Sequence, residues 1–233
     1  MKIARLATVD RFVNEFITFL AAACIVCLMG GAIVIFSGIL LAPSIPESSK
    51  NELVRNYAKN SMAIFDLKEN FTAMIADIFV VYIEFEDQNT IDLSVYEKTK
   101  SGNGKMTCLF REYNIDPYNY RISSTNEIEN SEYVPTTKDL EHIKERLGWT
   151  DNSFSMIKEY LDRANCISIQ NGNPAEVGFA RSGVGKYFYH LFEIATPEKD
   201  IEIWNDSCTY IYYQPRVVLG YGGGVFGPQC FPD

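Results

Sequence analysis

The chain has 233 residues, enough for one domain with a core of its own beside a membrane segment. Its 30 acidic and 21 basic residues give a net charge of −9, which repels phosphate backbones and argues against a nucleic-acid partner. A hydrophobic content of 47% excludes an intrinsically disordered chain.

Residues 1–15 carry Lys2, Arg5, Asp10, Arg11 and Glu15 and read as a short cytoplasmic tail. Phe16 to Ala42 then contains no charge, and the uncharged run continues to Pro46, between Glu15 and Glu47. A helix needs about 20 apolar residues to cross a bilayer, so 16–42 is predicted to be a transmembrane helix with room for tilt. A buried core helix seldom stays apolar on every face for so long. A cleaved signal has an apolar core of only about 7–15 residues and a small-residue cleavage site, whereas Ala42 here precedes Pro43. Leu20 stands one place too early before Cys24 for a lipoprotein box. The segment is therefore expected to stay in the mature chain as its contact with lipid. It holds no ionisable side chain, which argues against a proton or ion path.

Three basic residues precede the span, and Lys50, Arg55 and Lys59 follow it, so the positive-inside rule gives a near tie. Arg11 and the N-terminal amine lie closer to the apolar run than Lys50 does. The cysteines of the remaining chain also suit an oxidising exterior. The expectation is a single-pass cell-membrane protein whose C-terminal domain is extracytoplasmic.

Residues 43–48, with Pro43 and Pro46, form a stiff linker, and 49–233 form the globular domain. Ser49 and Glu52 make a capping-box pattern for a helix over 49–65, with Leu53, Tyr57 and Ile64 on one face. Helix is expected to resume to about Asp77, followed by a strand from Ile78 to Phe85. Ile91, Leu93 and Val95 alternate as a half-buried strand. Ser101–Lys105 is a turn, and Met106–Tyr113 is the returning strand. Asn114–Pro135 reads as loop. Thr137 is expected to cap a helix carrying Leu140, Ile143 and Leu147 and stopped by Gly148; a second begins at Asp151 or Asn152, and the two form an αα-hairpin. Strands follow at Cys166–Gln170, Glu176–Ala180 and Tyr187–Ile194, with Asn171–Pro174 turning the first pair. Tyr210–Tyr213 and Arg216–Leu219 add strands around Pro215, which belongs on an edge. Gly220–Gly224 looks too glycine-rich for a regular element. Grouped rather than alternating helices and strands argue an α+β domain with an antiparallel sheet. Small extracytoplasmic domains with two helices and a β-meander have this order, an analogy that carries no function. No matching residues relate the two halves.

Cys24 and Cys27 fall within the apolar run. Cys108, Cys166, Cys208 and Cys230 are an even set for two disulfides, with three possible pairings. Cys208–Cys230 is the preferred pair because it would tie down the C-terminal tail.

The most motif-like stretch is Arg181-Ser182-Gly183-Val184-Gly185-Lys186-Tyr187. A phosphate loop needs a first glycine where Ala180 stands, and a Ser or Thr where Tyr187 stands. Its context is strand–turn–strand, so a tight hairpin is expected. Arg181, Lys186 and the amides of Gly183 and Gly185 remain candidates to hold an anion or a peptide carboxylate, with His190 nearby in sequence. His142 lies on a charged helix face and reads as solvated; His190 reads as a satisfied structural histidine in a strand. Cysteine and histidine spacings argue against zinc, and Glu84, Glu86, Asp87 and Asp92 flank a turn without the spacing of a calcium loop. No metal, cofactor or catalytic set is expected. Tyr187, Tyr189, Tyr210, Tyr212 and Tyr213 make Tyr-rich strands of a kind that serves either core or partner surfaces.

These observations point to a membrane-anchored extracytoplasmic domain that binds a protein or envelope partner without catalysis. The rival is an anchored hydrolase using His190 with Ser182 or a cysteine.

Overall fold

The computed structural model describes residues 49–99, 105–121, 137, 139–183, 185–223, 227 and 229–232. The expected tail, transmembrane helix and linker (1–48), residues 101–104 of the expected turn and most of the 114–135 loop lie outside the described residues. Among the described residues, no helix is long and apolar enough to cross a membrane.

Ser49 caps the first helix as its sequence suggests. Its Oγ accepts the Glu52 amide at 3.3 Å, and the Glu52 carboxylate accepts the Ser49 amide at 3.1 Å. The helix, α1, runs Lys50–Ala73 and buries Leu53, Tyr57, Ile64, Leu67 and Phe71. The two helical stretches expected from sequence are thus one element, kinked at Asn60 (φ −120°, ψ 15°). Asn56 fixes the bend: its Nδ2 donates to Ala164 O at 3.3 Å and to the Tyr189 hydroxyl at 3.2 Å, while its Oδ1 accepts from Asn60 at 2.7 Å and from Asn165 at 2.9 Å.

Strands β1 (Phe79–Phe85), β2 (Ile91–Lys98) and β3 (Met106–Ile115) form a meander. Helices α2 (Leu140–Leu147) and α3 (Asp151–Ala164) follow, so both members of the expected pair are present. Asp139 caps α2, and Thr137 instead accepts the Asp139 amide; Gly148 ends α2 at φ 68°. Trp149 turns the corner, packing on Phe71 and Phe154 and donating from Nε1 to Met74 O at 3.0 Å. Helix α3 lies along α1. Strands β4 (Ser168–Gln170), β5 (Ala175–Ser182) and β6 (Gly185–Leu191) make a second meander. The short helix α4 (Glu198–Ile201) leads to the hairpin β7 (Tyr210–Gln214) and β8 (Val217–Gly222).

All eight strands join one antiparallel sheet, in the order β3-β2-β1-β4-β5-β6-β8-β7. The first six strands in this order read alike from either side of the β1–β4 seam, and each meander is preceded by a helix of the α1–α3 pair. This is the arrangement of a two-fold axis normal to the sheet, although the residues on its two sides do not match.

Alternation gives the sheet two unlike faces. Val81, Ile83, Leu93, Val95, Ile169, Val177, Tyr187, Tyr189 and Leu219 join Leu53, Leu67, Phe154, Ile157 and Leu161 in one buried core. Each fully buried aliphatic or aromatic side chain contributes about 1.5–3 kcal/mol, so this layer carries the fold. The opposite face presents Tyr82, Glu84, Asp92, Ser94, Tyr96, Arg111, Gln170, Glu176 and Lys186.

One expectation needs correction. Gly220–Gly222 belong to β8, and an aromatic ring occupies the space a side chain at Gly220 would need. A Cβ at Gly220 would stand 2.1 Å from the Phe188 ring, and one at Gly185 would stand 2.6 Å from Tyr221. Pro215 lies in the β7–β8 turn, between the two strands expected around it and beside the edge strand β7. The edge strand β7 is protected by side chains: Asp206 and Asn205 accept the amides of Tyr210 and Tyr212 at 2.9 and 3.2 Å.

Candidate functional site

The face of the sheet opposite α1 and α3 carries a cleft of about 670 Å³, lined from β3 to β8 by charged, polar, phenolic and glycine residues. Its geometry depends on an irregularity in β5. Gly178 pairs with Phe188, but Ala180 pairs with Tyr187, leaving Phe179 as an extra residue. Before this bulge the even-numbered residues Glu176 and Gly178 face the cleft. After it the odd-numbered Arg181 does, opposite Lys186. Were Phe179 paired as an ordinary strand residue, Arg181 would point into the apolar layer with Val177.

Glu84 is the anchor of the cluster. It is 1% exposed and faces Ser168 across β4 and Asp92 across β2. Arg181 Nε meets Glu84 Oε1 at 2.6 Å, and Lys186 Nζ lies 3.5 Å from Glu84 Oε2. The Tyr82 hydroxyl donates to the same carboxylate. Arg181 Nη2 reaches Glu86 at 3.2 Å and Asp92 at 3.7 Å, and Lys186 reaches Glu176 at 3.6 Å. A buried carboxylate is tolerated when it is paired and hydrogen-bonded, and these partners meet that condition. Burial, and then the Glu84 charge, push the Tyr82 phenol far above its usual range. Burial works against the Arg181 charge, but Glu84 and Glu86 outweigh it and raise the guanidinium further.

Lys186 also donates to Ser168 Oγ at 2.9 Å, and Gly178 makes the crossing possible. A Cβ at residue 178 would lie 2.1 Å from Ser168 Oγ and 2.8 Å from Lys186 Cδ. A serine beside a lysine invites comparison with a Ser–Lys nucleophile pair. Here the lysine faces two carboxylates as an ammonium, which donates to the hydroxyl rather than taking its proton. Ser168 is 1% exposed, so its oxygen is closed to a substrate.

The residues singled out from sequence separate into two places. Arg181, Gly185 and Lys186 line the cleft, while Gly183 sits in the β5–β6 turn at φ 57°, as the expected hairpin requires. The anion-holding role expected for the two cations meets an obstacle, because carboxylates of the protein already occupy them. His190 lies farther along β6, packed against Phe188, Trp204 and Tyr210 with ring centroids 5.0, 5.1 and 5.5 Å away. Both its nitrogens are buried without a hydrogen-bond partner among the described residues, so it is a structural histidine but not a satisfied one. Burial holds its pKa below the ordinary value, with Glu176 across the strand pulling the other way. His142 is exposed.

Among the described residues, the structure brings neither Ser182 nor a cysteine to His190. Ser182 pairs with Gly185 at the far end of the hairpin, on the opposite face of the sheet. Five residues of strand separate Gly185 from His190, about 16 Å. Cys208 and Cys230 are joined as a disulfide, the preferred pair. Cys108 and Cys166 are free and buried, and burial raises both thiols. Cys166 bonds to the Ala164 carbonyl near Asn56, on the helical side. Among the described residues, no group of His, Cys, Asp and Glu is arranged to hold a metal ion.

Sequence reasoning missed Tyr82, Glu84, Asp92, Tyr96, Arg111 and Glu176 as site residues. The available signal was the strand Phe79–Phe85, where Tyr82 and Glu84 fall at alternate positions on the face away from Val81 and Ile83. No protein-family model matches the chain, and no curated protein or solved structure is similar to it.

Proposed function

We propose that the chain is a membrane-tethered, extracytoplasmic, non-catalytic binding domain that recognises a protein or envelope component through the sheet face opposite α1 and α3. One observation carries this reading. The cleft is lined by charges paired with one another around buried Glu84, a polar recognition surface set into the face of the sheet. The uncharged run 16–42 supports the tether, and the Cys208–Cys230 disulfide suits an oxidising compartment.

The test is photo-cross-linking of the full chain in its native membrane. A benzophenone amino acid replaces Tyr113, which is 60% exposed on the cleft rim, or Met62, which is 81% exposed on α1. A discrete adduct from position 113 and none from 62 is expected. Adducts from 62 alone, or from neither, contradict a recognition role for the cleft.

A further inference from the structure

Granting that the cleft binds, its chemistry selects among ligands, and we propose that it takes a segment of an uncharged, hydroxyl-rich chain, a neutral glycan. Three features of the lining lead there. The first is charge balance: Arg111, Arg181 and Lys186 are matched by Glu84, Asp92 and Glu176. An anion at Arg181 would have to pull it from Glu84 at 2.6 Å, Glu84 is too buried to follow or to be re-solvated, and Arg111 is engaged with the Tyr96 hydroxyl. A cation would meet the same obstacle with the signs reversed. A hydroxyl group has one donor and two acceptor sites, so it gives to a carboxylate and accepts from a neighbouring guanidinium without breaking the pair.

The second feature is the nature of the remaining side chains. No aliphatic residue lines the cleft, while Tyr82, Tyr96 and Tyr113 do. Lys186 and Arg111 lie over the rings of Tyr82 and Tyr96, and Tyr113, 60% exposed, offers its ring to the C–H face of a sugar and its hydroxyl to the sugar's oxygens. The third is shape. The lining runs from β3 to β8, six strand spacings or about 29 Å along the sheet. Such a groove suits a chain laid across the strands. A peptide chain binds sheets at an open edge or through apolar pockets, and this cleft has neither, because it lies on the face of paired strands.

The experiment uses the full chain in lipid nanodiscs, free of glycoside detergents, titrated calorimetrically with maltohexaose, cellohexaose and chitohexaose. Inorganic phosphate and hexagalacturonate are the anionic arms. At least one neutral hexasaccharide is expected to bind saturably, and neither anion is. Tyr113→Ala should weaken that binding by about fivefold, as the loss of one aromatic contact, and Met62→Ala should leave it unchanged. Both positions are exposed, so neither variant threatens the fold. The inference is overturned if no neutral hexasaccharide binds, if an anion binds more tightly, or if Tyr113→Ala has no effect. Should the sugars fail while position 113 cross-links to a protein in the membrane, the glycan falls and the binding role stands. Should both fail, both fall.

Discussion

Both ring nitrogens of His190 are shut away from solvent among Phe188, Trp204 and Tyr210. A neutral imidazole fits such a box as an aromatic ring, and a charged one does not. The unfolded chain protonates this side chain near pH 6.5, whereas in the fold burial lowers its pKa. As pH falls below about 6.5 the unfolded state takes the proton first, so the fold loses stability, by at most about 1.4 kcal/mol per pH unit from this group. His190→Phe keeps an aromatic ring in the box and removes the titration. Urea unfolding of the full chain in micelles at pH 7.5 and 5.5 is expected to show the variant gaining on the wild type at the lower pH. Parallel responses would contradict this role. The sequence marks His190 as structural from its strand position, but which rings surround it depends on Trp204 and Tyr210, from a later loop and strand. Arg181 and Lys186 stand out locally in their glycine-flanked turn. Glu84 does not, because a carboxylate near a turn reads as solvated until the opposing cations are placed beside it.

Among the elements, β5 determines which side chains share the cleft. Its single extra residue, Phe179, moves Arg181 from the apolar face to the polar one, where Glu84, Glu86 and Asp92 receive it. Deleting Phe179 leaves Gly178, Ala180 and Arg181 opposite Phe188, Tyr187 and Lys186, so alternation becomes strict and the guanidinium stays at the cleft. The cost is then the lost packing of the Phe179 ring against the core, about 3 kcal/mol. Phe179→Leu keeps the bulge and should cost less than about 1.5 kcal/mol. Denaturant unfolding of the two variants checks the contrast, and equal losses would contradict it. Helix ends and tight turns are legible in the sequence because their signals are local: Ser49 with Glu52, Gly148 at φ 68°, and Gly183 at φ 57°. The bulge is not, since the stretch Val177–Ser182 carries no residue that only a bulge would use. Gly220 of β8 misleads for a related reason: the ring of Phe188 that makes glycine fitting there comes from another strand.

Across the whole domain, long-range pairings set the architecture. The seam that joins the two meanders pairs Ile83 with Ile169, and nothing near either residue announces the other. Composition and grouping suffice for an α+β domain with an antiparallel sheet, but not for the strand order. The C-terminal segment is held by the Cys208–Cys230 bond, by the Phe231 amide donating to Cys208 O at 2.9 Å, and by Phe231 packing on Tyr187 and Tyr221. Closing a loop with a sequence separation of 22 restricts the unfolded chain, so Cys230→Ser is expected to lower stability by about 3 kcal/mol. Thermal unfolding with and without reductant checks this, and an unchanged midpoint would contradict it.

The functional reading stands on one apolar segment holding an acidic domain at the outer side of a cell membrane. The most direct measurement is labelling of Met62→Cys with a membrane-impermeant maleimide in intact cells, followed by alkaline carbonate extraction. Met62 is 81% exposed, and the wild-type chain is the control. Labelling without permeabilisation, on a chain that stays with the membrane pellet, is the expected outcome. Labelling only after permeabilisation, or a chain recovered in the carbonate wash, would contradict it.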